Sequence, residues 1–159
     1  MRIAIAAIGR MKQGPERDLV TRYLERARAA GRPLALTGFD VLELPESRAA
    51  SAEARKAEEA RGLAAQLPEG VRVVLDEHGK SLSSHGLTEQ IARWRDAGRP
   101  ALSLVIGGAD GHGHEMLSGA DLMLSFSPLT WPHQLVRIML AEQLYRATTI
   151  LSGHPYHRE

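Results

Sequence analysis

The chain has 159 residues, 43% hydrophobic and 25% charged, with a formal net charge of +1. That length suits one domain with a buried core, and the near-neutral balance makes no global demand for nucleic acid or an anionic surface. Cysteine is absent, which excludes disulfides and thiolate chemistry and is compatible with a reducing cytoplasm; no apolar run approaches the roughly 20 residues of a membrane span.

The first apolar stretch stops at Gly9-Arg10-Met11-Lys12, so residues 2–9 read as a strand rather than a leader. Residues 15–30 predict a helix: Pro15 suits its first turn, and Leu19, Val20, Tyr23, Leu24 and Ala27 recur at helical spacing. Residues 10–32 carry seven basic groups against three acids, a local excess that suits either a phosphate backbone or a solvated helix face. Residues 39–44 form a second predicted strand, closed by Pro45, and 51–67 a helix rich in Ala, Glu and Arg, ended by Pro68-Glu69-Gly70. A β-branched run at 71–75 is the third strand. A helix at 84–97 stops at Gly98, and a fourth strand at 101–106 ends at Gly107-Gly108. A short helix at 114–119 leads to a fifth strand at 122–126, and the longest helix spans 132–151 with Pro132 suited to position N1.

Strands alternating with helices predict an α/β fold: a mostly parallel sheet of five to six strands with helices on both faces. No repeat or linker divides the chain, so 1–159 reads as a single domain. Ligands in such sheets bind outside the carboxyl ends of the strands, which directs attention to the loops after Leu75, Ile106 and Phe126. The second loop, Gly107-Gly108-Ala109-Asp110-Gly111-His112-Gly113, has the glycines for close backbone approach. It matches neither the dinucleotide pattern nor the P-loop, for which Val74 replaces the first glycine. His112, His114 and Glu115 lack the spacing of a metal site, and no metal is expected. The third loop, with Pro128 and Pro132, is stiff, and His133 and Arg137 share a helix face one turn apart. The terminus, His154-Pro155-Tyr156-His157-Arg158-Glu159, is dense in proton-transfer and anion-gripping groups.

Three segments together resemble one family: the glycine loop, the Ser-Phe-Ser-x-x-Thr-x-Pro-His-Gln-x-x-Arg run from Ser125 to Arg137, and the Tyr-His-Arg-Glu end. They are similar to those of the bacterial large-subunit (23S) ribosomal RNA pseudouridine N3-methyltransferases of the SPOUT class, over the whole chain. The resemblance implies a C-terminal trefoil knot over about residues 101–159, a rare exception to unthreaded topology. It implies S-adenosylmethionine as cofactor, contacted by Leu75, Gly107, Gly108, Phe126, Ser127, Pro128, Leu129, Thr130 and Trp131. It implies a cytoplasmic homodimer acting on ribosomal RNA, with His133, Arg137, Tyr156, His157 and Arg158 as RNA-contacting or catalytic groups. Ala109-Asp110-Gly111-His112 departs from close relatives, so Asp110 and His112 inherit no role. The N3 proton must leave before or during attack; His157 or the Tyr156 hydroxyl is expected to take part, with Arg158 gripping phosphate or base. A catalytically silent RNA-binding or ribosome-assembly factor is the alternative. A hydrolase is disfavoured by the lack of a G-x-S-x-G elbow.

Overall fold

Among residues 1–157, which the computed structural model describes, strands and helices alternate along the whole chain. They run β1 (Arg2–Ile8), α1 (Pro15–Gly31), a 3-10 turn (Arg32–Leu34), β2 (Thr37–Leu44), α2 (Ala52–Ala64), β3 (Val71–Ser81), α3 (Ser84–Asp96), β4 (Ala101–Ile106), α4 (His114–Ser118), β5 (Leu122–Ser125) and α5 (His133–Ser152). The five strands form one sheet, ordered β2-β1-β4-β3-β5, and every pairing is parallel. The expected parallel α/β sheet is therefore present, with five strands, the lower of the two numbers expected.

Side-chain alternation along the strands builds two cores. Ile3, Ile5, Val73, Leu102 and Leu104 pack with Leu24 of α1, Ile91 of α3 and Leu140 and Leu144 of α5. On the other face Ala6, Ile8, Val74 and Val105 meet Ala60 and Leu63 of α2 and Met116 of α4. All six residues of β4 are buried, as a central parallel strand covered on both faces requires. Each fully buried Leu or Ile contributes roughly 1.5–3 kcal/mol. Ser51 and Ser83 accept from Ala54 N and Gly86 N and so cap α2 and α3.

Two strands depart from their predicted limits by more than one residue. β2 begins at Thr37 and carries a bulge: Ile3 pairs with Gly38 but Ala4 with Asp40, and the skipped Phe39 has φ 58°. Arg28 stabilises the bulge by donating to the Gly38 carbonyl at 2.9 Å and the Phe39 carbonyl at 3.1 Å, while the Phe39 ring is buried. β3 extends to Ser81 rather than ending at Leu75. It leaves β5 after Leu75 and rejoins it with Lys80 opposite Leu124 and Ser81 opposite Ser125. Gly79 makes this possible, because a Cβ there would lie 2.7 Å from the Leu124 backbone. Pro132 caps α5 from outside the helix, which starts at His133.

Candidate functional site

The carboxyl ends of β4 and β5, with the stretch of β3 that departs from β5 after Leu75, open into a cavity of about 430 Å³. Its size lies within the range of small-molecule sites. Leu75, Asp76, Glu77 and His78 come from the β3 end; Ile106 through His112 from the glycine loop; Leu124 through Ser127, Leu129, Thr130 and Trp131 from the loop after β5; His133 and Val136 from α5.

The glycine loop is a tight turn in which Gly111 N donates to the Gly108 carbonyl at 3.0 Å. Helix α2 braces it from behind. Arg55 donates from Nε and Nη2 to the two Asp110 oxygens at 2.7 and 3.0 Å, and from Nη1 to the Ala49 carbonyl at 3.1 Å. The hydrogen bond from Arg55 holds the Asp110 carboxyl below its ordinary range. One turn on, the Glu59 carboxylate packs so close to Gly108 that a Cβ there would meet Oε2 at 2.8 Å. His112 reaches back toward the Leu75 carbonyl. Burial pushes its imidazole pKa down, outweighing the opposite pulls of Asp76 and Leu75. Its Nε2 is enclosed without a partner among the described residues.

Ser127 organises the loop after β5. Its Oγ accepts from Leu129 N at 3.0 Å and from Trp131 Nε1 at 2.9 Å, while its carbonyl accepts from Ser125 Oγ at 3.0 Å. Leu129 and Trp131, which line the cavity, remain exposed, as does Leu135 in the first turn of α5.

The structure brings Leu75, Gly107, Gly108, Phe126, Ser127, Leu129, Thr130, Trp131 and His133 to one cavity; Pro128 is not among its lining residues. Asp76, Glu77 and His78 line it too; the two carboxylates had no sequence signal beyond their place after a strand end, and His78 only that of a loop histidine. Arg137 stands apart. It is 3% exposed, pairs with Glu43 of β2 and donates to the Gly9 carbonyl at 3.1 Å. The shared face of α5 passes from the cavity rim at His133 to the buried sheet edge one turn later. Arg137 thus ties α5 to the ends of β1 and β2, and Glu43 also accepts from Met11 N at 2.9 Å. Burial lowers the Arg137 pKa and Glu43 opposes that shift.

The tail docks elsewhere. The Tyr156 hydroxyl donates to Glu142 Oε1 at 3.0 Å, its ring lies 4.7 Å from that of Tyr145, and the Arg146 guanidinium sits over it at 5.1 Å. Burial first, then Glu142 and Tyr23, push the phenol pKa well up. His157 Nδ1 lies 3.2 Å from Arg146 Nη1, and its Nε2 3.0 Å from His85 Nε2 in the first turn of α3. Arg158 lies outside the described residues. Glu142, the anchor of Tyr156, lines a second cavity of about 450 Å³ with Tyr23, Leu82, Leu87, Ile138 and Met139; Leu124 and Phe126 line both cavities.

Residues 1–157 match the family model described as "Predicted SPOUT methyltransferase". The chain is 54% identical over 159 residues to the ribosomal RNA large subunit methyltransferase H of Xanthobacter autotrophicus, covering 99% of each. It is 55% identical over the same length to the protein of that name from Rhodopseudomonas palustris, again covering 99% of each. A probable methylase family protein of Haemophilus influenzae is similar in fold, with a TM-score of 0.50, 10% identity, and coverage of 99% of this chain and 70% of that one. No helix among the described residues is long and apolar enough to cross a membrane.

Proposed function

The chain belongs to the SPOUT methyltransferase family, and on that premise we propose that it transfers a methyl group from S-adenosylmethionine to N3 of a pseudouridine in large-subunit ribosomal RNA. The observation that carries this is the cavity that gathers the glycine loop, the 126–131 loop and His133 at three neighbouring strand ends. The relatives' names, ribosomal RNA large subunit methyltransferase H, support the substrate class.

The cavity suits the methyl donor. Leu75, Ile106, Phe126 and Leu129 offer apolar walls for an adenine ring, the glycine turn lets backbone groups approach, and no lysine or arginine lines the space to repel a cation. Leu75, Gly107, Gly108 and the stretch from Phe126 to Trp131 would hold the donor, which supplies, when bound, a methyl group already activated on sulfur. Neither a metal nor a thiol is needed for that chemistry. The protein's share is to exclude water, hold N3 in line and accept its proton. His133, on the cavity wall at the first turn of α5, is placed to orient the base or take that proton. Tyr156, its hydroxyl donated to Glu142 and its pKa raised, acts as a hydrogen-bond donor rather than a base. His157 is then the proton acceptor of the tail, and Arg158 its grip on phosphate or base.

Within one chain Tyr156 and His157 dock beside the second cavity, on α5 and α3. In this reading a second copy brings its tail to the donor cavity, giving a homodimer with composite sites. The exposed Leu129, Trp131 and Leu135 give such a partner an apolar rim to cover. A knot over about residues 101–159 is part of the same proposal: β5 lies beyond β3 rather than beside β4, and α5 then returns to pack on α1 and α3. The cytoplasm, where ribosomes are made, is the expected setting.

The test is to incubate the protein and labelled methyl donor with free RNA, subunits and ribosomes from a strain lacking it, and to map the product. One N3-methylated pseudouridine in the large subunit is expected. Binding without transfer to any of these substrates would replace the enzyme by a silent RNA-binding or assembly factor.

A further inference from the structure

Three carboxylates line the donor cavity: Asp76, Glu77 and Asp110. Their surroundings differ. Asp110 is spent on Arg55, whose guanidinium meets both of its oxygens. Glu77 is half exposed, and among the described residues its only ion-pair contact is His78 Nε2 at 3.9 Å. Asp76 is the enclosed one, with its side chain 17% exposed. Its Oδ1 accepts from His78 N at 2.9 Å and lies 3.2 Å from His78 Nδ1, whereas its Oδ2 makes no hydrogen bond among the described residues. Neither lysine nor arginine lines the cavity.

From this we infer that Asp76 is the counter-charge by which the cavity prefers a sulfonium ligand to the neutral thioether that remains after methyl transfer. The inference rests on the methyl donor being the ligand of this cavity. In the transfer the carbon–sulfur bond breaks, sulfur keeps the electron pair and loses its charge, and the methyl group is bonded to N3 as the N3 proton leaves to a base. Donor and product share adenine, ribose, ammonium and carboxylate, and differ in the methyl group and the charge on sulfur. A partly enclosed carboxylate with no lysine or arginine beside it senses that difference, because its field is screened less than a surface charge. Among the imidazoles that line the cavity, burial holds the His112 pKa below its ordinary range, and His78 engages Oδ1 only, which leaves Oδ2 open to a ligand. Asp76 would thereby hold the substrate form and release the product form.

The experiment is calorimetric titration of the full-length wild-type protein and Asp76→Asn with S-adenosylmethionine and with S-adenosylhomocysteine. Asn retains an Oδ1 acceptor for His78 N and replaces the charged second oxygen by a neutral amide group. Donor affinity is expected to fall about tenfold, about 1.4 kcal/mol, while product affinity moves less than about twofold. Asp76→Glu should keep the wild-type preference, and Glu77→Gln should leave it unmoved. Equal weakening of both ligands, no change in either, or loss of the preference in Asp76→Glu would overturn the inference. If the folded wild-type protein binds neither ligand, the donor itself is wrong, and that failure is separate from a wrong role for Asp76.

Discussion

Replacing Arg137 by Met separates a structural arginine from a chemical one. The guanidinium is almost wholly buried, pairs with Glu43 and satisfies the Gly9 carbonyl. The substitution leaves that carbonyl unpaired and Glu43 without its cation. Removing one partner of a buried pair costs about 3–5 kcal/mol; Glu43, with 21% of its side chain exposed and Met11 N still donating to it, recovers part of this through water. A loss of about 3 kcal/mol is expected, which for a chain of this size lowers Tm by roughly 6–12 °C. Adding Glu43→Gln removes the stranded charge and should restore a good part of the loss. Urea unfolding at constant m-value measures both. A loss below about 1 kcal/mol, or a double variant as unstable as the sum of the singles, would refute the structural role. Methyl transfer well below Tm supplies the other half: a fall in turnover far beyond the unfolded fraction would return Arg137 to the chemistry.

The enclosed His112 makes stability depend on pH. Its folded pKa is lowered by burial, so on acidification the unfolded imidazole, near pH 6.5, takes its proton first. Stability is complete above about pH 6.5 and declines toward the folded pKa, by at most about 1.4 kcal/mol per pH unit. Denaturant unfolding of the wild type and His112→Gln between neutral and mildly acidic pH should show the slope in the former and its loss in the latter; equal slopes would acquit His112. The Arg55–Asp110 pair should set the shape of the glycine loop. Arg55→Asp and Asp110→Arg should each weaken donor binding, and the exchanged pair should recover it by calorimetry. A double variant no better than the worse single would mean that the pair does not position the loop.

Much of this fold is legible because buried parallel strands are short apolar runs, as at Val71 to Leu75 and Ala101 to Ile106. The cavity loops follow from the strand-end rule. What escaped depends on contacts between distant residues. A phenylalanine at positive φ is not anticipated from its type; the bulge at Phe39 exists because Arg28, 11 residues earlier, satisfies its carbonyl. Asp76-Glu77-His78-Gly79 has the composition of a polar turn, so the return of β3 to β5 was hidden. Helical spacing put His133 and Arg137 on one face but did not disclose Glu43, 94 residues away, which draws the second of them under the sheet edge. The place of the tail was equally unreadable, since its anchors, Glu142, Arg146 and His85, are defined only by packing.

The excursion of β3 has one more property. It departs from and returns to the same neighbour, for Leu75 and Lys80 both pair with Leu124. Residues 76–79 therefore form a small closed hoop hung from a single point on β5. A hoop of that kind tolerates new side chains at its outer positions, such as 77 and 78, far better than a change in its number of residues, because any inserted residue would have nowhere to go but into the ligand's space or out of the ladder. The lip of the cavity can thus exchange its chemistry over evolutionary or laboratory time while its circumference stays constant.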